Sequence, residues 1–106
     1  MTSTKKDPVL VVFQLSGGND YLNTVIPYSD GLYYDNRPAV GIHEDRVIKL
    51  DDKVGLHPEM GPLGKVWDRG DMAIIHGIGY KNAPRSHFRS MDIWHTCEPD
   101  TLGTEG

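Results

Sequence analysis

The run Val9-Leu10-Val11-Val12-Phe13-Gln14-Leu15 constrains this chain more than any other feature. It is continuous rather than alternating, it is rich in β-branched residues, and Pro8 before it and Gly17-Gly18 after it set its ends. An alternating run buries one face of a strand, whereas a continuous one suits a strand covered on both faces, as in a parallel sheet. The run Met72-Ala73-Ile74-Ile75-His76-Gly77-Ile78 has the same character and begins just beyond Arg69-Gly70. Residues 9–15 and 72–77 are therefore expected as parallel strands, adjacent or nearly so, and buried on both faces.

A helix is expected between them. Leu63, Val66 and Trp67 fall at helical spacing, Pro62 suits a first turn, and Gly70 stands where a helix end takes a left-handed residue. These signals predict a helix from about Pro62 to Arg69. Strand, helix, strand in that order implies a right-handed crossover and an α/β class, a layered parallel sheet with flanking helices. The crossover is long, because residues 27–57 must also be placed, so an excursion is inserted there. Within it Ala39–Ile42 and Arg46–Leu50 are candidates for a hairpin around His43-Glu44-Asp45, and Tyr33-Tyr34 would pack the excursion onto the main body. Further on, Phe88, Met91 and Trp94 share one face of a helix expected over 86–97, with Arg89 on the opposite side.

A chain of 106 residues with 38% hydrophobic and 25% charged residues has room for one globular domain. Two parallel strands and two or three helices leave a parallel sheet short of cover. Residues 1–106 are therefore expected to be the N-terminal part of a single larger α/β domain. Residues 1–8 would be a flexible N-terminus, and the remainder of the same chain beyond Gly106 would be the covering partner. The net charge of -4 comes from interspersed residues without a basic stripe, which argues against a nucleic-acid surface. The longest apolar stretch, Val9–Phe13, is far short of the roughly 20 residues needed to cross a bilayer, so no membrane span is expected. No apolar export segment follows Lys5 and Lys6, so the sequence as written suits the cytoplasm, or the periplasm or exterior if a leader is missing.

Chemistry is expected in two places. Ser16-Gly17-Gly18-Asn19-Asp20 follows the first run, at the carboxyl end of a strand, where open α/β sheets place their ligands. The paired glycines would let backbone N–H groups approach an anion, and Asp20 with Asn19 and Asn23 would offer oxygen ligands to a metal. A tight turn followed by a cap from Asp20 or Asn23 explains the same letters. The pattern is neither a dinucleotide fingerprint nor a phosphate-binding P-loop.

The second place is Asn82-Ala83-Pro84-Arg85-Ser86-His87-Phe88-Arg89. At a helix start the Ser86 hydroxyl would lie beside free N–H groups and the positive end of the dipole, a setting for a nucleophile or an anion. Arg85 and Arg89, four apart, would hold the oxygens of a phosphate or sulfate. Serine is also among the commonest N-caps, so capping alone accounts for it. The histidines His43, His57, His76, His87 and His95 show no H-x-x-x-H spacing, and His76 has the best position, at a strand end.

At these stretches the chain resembles the bacterial family catalogued as domain of unknown function 1501. The resemblance rests on Val9–Pro27 (VLVVFQLSGGNDYLNTVIP), Tyr33–Pro38 (YYDNRP), Gly55-Leu56-His57-Pro58, and Arg85-Ser86-His87-Phe88 with Asp92. Members are typically several times longer than this chain. That family is similar to the alkaline phosphatase and sulfatase superfamily, which implies an alkaline phosphatase-like scaffold. By position, the resemblance implies Ser86 as the catalytic nucleophile and Asp20 as a ligand to a divalent metal such as zinc, calcium or magnesium. Gly17, Gly18, Asn19, Arg85, His87 and Arg89 would bind the substrate. The expected function is a metal-dependent hydrolase of a small phosphate or sulfate ester. The alternative is a noncatalytic ligand-binding module on the same scaffold.

Overall fold

Backbone pairing in this chain begins where the sequence turns from a glycine loop into Thr24-Val25-Ile26-Pro27. In a computed structural model, which describes residues 5–100, the sheet has three strands, β1 (Val25–Ile26), β2 (Ile48–Lys49) and β3 (Gly55–Leu56). Their order is β1-β3-β2, and both pairings are antiparallel. Val25 lies opposite Leu56, which faces Ile48 on its other side. The His57 N–H donates to the Thr24 carbonyl at 3.1 Å and lengthens the β1–β3 ladder.

The turn between β2 and β3 is tied by its own side chain. The Asp51 carboxylate accepts from the Lys53 and Val54 N–H groups, both at 2.8 Å, while Leu50 N–H donates to the Val54 carbonyl at 3.1 Å. At Gly55 the strands approach so closely that a Cβ would stand 2.1 Å from Val47 Cγ1 and 2.7 Å from the Ile48 carbonyl oxygen. Only glycine fits there.

Over this sheet Ile26, Tyr28, Tyr33 and Val47 form the core cluster, with Tyr34 and Ile42 packed against it. Two tyrosines also hold the fold by their hydroxyls. Tyr28 donates to the Asp51 carbonyl, and Tyr33 donates to Asn23 Oδ1 at 2.6 Å while accepting from the Ile42 N–H at 2.9 Å. Asn23 in turn donates to the Val40 carbonyl at 2.9 Å. The excursion between the two apolar runs is thus the folded body of the described chain.

Three helices accompany the sheet. Helix α1 (Gly31–Asn36) starts at Asp30, whose carboxylate accepts from the Leu32 N–H at 3.0 Å. Helix α2 (Gly61–Asp68) has Pro62 in its first turn and closes with Gly70 N–H on the Trp67 carbonyl and Asp71 N–H on the Val66 carbonyl. Those paired bonds, with Gly70 at φ +77°, are the Schellman ending the sequence predicts. Helix α3 (His87–Thr96) starts at Ser86 and ends at Cys97, a left-handed residue at φ +58°.

The structure departs from the sequence reading in several elements. Neither Val9–Leu15 nor Met72–Ile78 belongs to a strand, and no parallel ladder occurs among the described residues. Val9, Leu10, Val11, Val12 and Phe13 are 65–87% exposed, and Ile75 and Ile78 are also exposed. A continuous apolar run acquires strand geometry from the strands beside it, and among the described residues no strand lies beside either run. The hairpin expected over 39–42 and 46–50 forms instead between β2 and β3, because Asp51 supplies the turn, while His43-Glu44-Asp45 leads a 3-10 turn over Glu44–Arg46. On α3 the buried residue is Ile93, whereas Phe88 and Trp94 are exposed and Met91 is half-buried.

The expected flexible N-terminus, residues 1–8, lies partly outside the described residues. Among the described residues no helix is long and apolar enough to cross a membrane.

Candidate functional site

The loop that leaves the first apolar run and the face of α3 meet across a cleft of about 520 Å³. Leu15, Ser16 and Gly17 form one wall, Ile78, Gly79 and Tyr80 line the cleft between, and His87, Ser90, Met91 and Trp94 form the other wall. The spacing of those four, at i, i+3, i+4 and i+7, is one helix face. Met91 and Trp94, which sequence periodicity placed on one apolar face with Phe88, therefore line a cleft, while Phe88 lies outside it and is exposed.

Gly17 sets the width. Its N–H donates to the Leu15 carbonyl at 2.8 Å, a tight turn around Ser16, and its φ of +78° suits glycine. A Cβ on Gly17 would stand 2.7 Å from both Cγ and Nδ1 of His87, so the backbone is seated directly against the imidazole. Next to it the Ser16 hydroxyl donates to the Met91 thioether at 3.5 Å. These contacts bring the glycine loop and the start of α3 together.

The other candidate residues serve different bonds. The Asp20 carboxylate pairs with the Arg37 guanidinium at 2.6 Å, which holds its carboxyl below the usual range. Burial opposes that shift, and the N–H groups of Asn23 and Leu22 assist it. Asp20 stands in the cap position of the 3-10 turn Tyr21–Asn23 without a side-chain capping bond, and Asn23 ties Tyr33 to Val40. Asn19 Oδ1 accepts from the Thr24 hydroxyl at 2.8 Å. Gly18 has open space around it, and Arg85 is exposed.

Ser86 Oγ accepts the Arg89 N–H at 3.3 Å, the bond of an N-cap. The Arg89 guanidinium donates to the Glu98 and Pro99 carbonyls, each at 3.3 Å, beyond the end of α3. His76 is joined to the Tyr21 hydroxyl at 2.5 Å, with the rings edge to face. Of the residues predicted to carry chemistry, Ser16, Gly17 and His87 line the cleft.

No family model, curated protein or solved structure matches the chain.

Among the described residues no three His, Cys, Asp or Glu side chains gather into a group that would hold a metal ion. Asp20 by itself is not a site for the divalent ion that the resemblance implies. Ligands from elsewhere would have to join it, and Arg37 would have to give up the carboxylate. The cleft includes residues to which the sequence assigns no site role, namely Ile78, Tyr80, Ser90 and Cys97. No local signal in the sequence marks them as cleft residues. The Asp20–Arg37 pair, 17 residues apart, offered none.

Proposed function

We propose that this chain is a noncatalytic binding module whose ligand is a small molecule with an apolar body and one polar end. The seating of Gly17 against His87 carries this reading, because it fixes a cleft with Leu15, Ile78, Met91 and Trp94 on its walls and an imidazole at its edge. Apolar walls with few polar groups are the usual make-up of small-molecule sites. The aromatic sulfonate 8-anilinonaphthalene-1-sulfonate has both parts and serves as a probe. It should bind in a saturable 1:1 manner, with binding weakened by Trp94→Ala and by Gly17→Val, whose side chain would displace His87. Binding that neither substitution alters would remove the cleft as the site.

The hydrolase reading has one observation in its favour, Ser86 at the start of a ten-residue helix, where a developing anion is stabilised. Against it, three groups it needs are engaged in structural bonds: Ser86 with the Arg89 N–H, Asp20 with Arg37, and Arg89 with two carbonyls. Of the two arginines, only Arg85 would be left to hold ester oxygens. Its test is turnover of p-nitrophenyl phosphate or sulfate with zinc, magnesium or calcium added. Turnover lost in a folded Ser86→Ala variant would establish it in place of the binding module.

A further inference from the structure

A second cleft, of about 330 Å³, lies on the far side of the core tyrosines and is lined by Tyr28, Ser29, Gly31, Tyr34, His43 and Glu44. Most of its polar groups are already satisfied. Tyr28 donates to the Asp51 carbonyl, Ser29 to the Lys53 carbonyl at 3.3 Å, and His43 Nδ1 accepts the Asp45 N–H at 3.2 Å. Two groups remain without such a bond. The Tyr34 hydroxyl is buried with no hydrogen-bond partner, and the Glu44 carboxylate enters no ion pair among the described residues.

A buried hydroxyl without a partner is costly, and native structures rarely keep one unless water or a ligand completes it. Burial raises the Tyr34 hydroxyl pKa, with the charges of Glu44, Tyr33 and Asp45 adding to the effect, so the group stays protonated and seeks an acceptor. The carboxylate a short way off seeks a cation. Tyrosine rings line the cleft, and the Tyr28 ring already attracts a cation, Lys49 Nζ, at 5.0 Å from its centre. We propose that this cleft binds a small hydroxyalkyl ammonium ion, whose hydroxyl accepts from Tyr34 while its cation rests between the tyrosine rings and Glu44.

Choline is the probe. Titrated into the isotopically labelled chain, it should shift the amide resonances of Gly31, Tyr34 and Glu44 saturably. The neutral isostere 3,3-dimethylbutan-1-ol, with the same shape and hydroxyl, should bind about tenfold more weakly, and Glu44→Gln should reduce that preference. Tyr34→Phe should weaken choline about fivefold and leave tetramethylammonium, which has no hydroxyl, unchanged. Tyr34→Phe removes only an unpartnered hydroxyl, so the variant should fold. Equal affinity for choline and its isostere, an equal loss of both cations in Tyr34→Phe, or shifts confined to other residues would each overturn the proposal.

Discussion

Tyr34 and Asp51 are opposite cases of the same rule, that a polar group contributes according to what it is bonded to. The Tyr34 hydroxyl is buried without a partner, so its removal relieves a desolvation cost. Tyr34→Phe should raise stability by about 1 kcal/mol in urea unfolding without ligand, and a loss of stability would show that the hydroxyl is bonded after all. Asp51 is held by two N–H groups, Val54 foremost and then Lys53, which lower its pKa from the ordinary 3.8. A carboxylate with a lowered folded pKa contributes stability that is present above 3.8 and is lost as pH falls through the lowered value. Asp51→Asn should therefore flatten the acid limb of a stability-versus-pH curve, measured by thermal unfolding at successive pH values below 5. At this scale the sequence was legible where partners are near neighbours. Ser86 as a cap bonds three residues away, whereas the Arg37 partner of Asp20 lies 17 residues off and leaves no local trace.

Elements were legible where a local signal decides their ends. Helix α2 has its proline, its apolar spacing and its closing Gly70 within ten residues, and the sheet has nothing comparable. Its strands are two residues long, too short for a periodic pattern, and exist because β3 can lie between β1 and β2 with a glycine at the crossing. Gly55→Ala would place a methyl group on Val47 and the Ile48 carbonyl, and should cost about 1 to 3 kcal/mol of stability. A near-neutral result would mean that the strands separate more easily than their spacing implies. In α3 the helical period is legible in the sequence and the buried position is not, since Ile93 is buried while Met91 and Trp94 line a cleft and Phe88 is exposed. Ile93, only 7% exposed, should cost about 2 to 5 kcal/mol when changed to Ala. Trp94, 62% exposed, should cost less than about 1 kcal/mol. If the order is reversed, the tryptophan belongs to the core after all.

The described residues form a plate rather than a ball, with extents of 51 × 47 × 19 Å and a radius of gyration of 18.1 Å. A compact domain of about 100 residues has a radius of gyration near 13 Å. The difference arises in part because the longest apolar stretch of the chain, Val9–Phe13, which a compact domain would bury, is here exposed. Residues 9–14 carry no backbone hydrogen bond to other described residues, and their side chains are all uncharged and polar only at Gln14. Unpaired backbone beside uncharged β-branched side chains is a template for edge-to-edge pairing. The chain on its own should therefore self-associate, seen in sedimentation velocity as a weight-average mass that rises with concentration. The double substitution Val11→Asp and Phe13→Asp puts like charges on the run and should return the chain to a monomer, without altering the far-UV signal of its helices, which lie elsewhere. If the double variant associates as strongly as the parent, some other surface is responsible. A parent chain that stays monomeric at all concentrations would show that the run is shielded in solution.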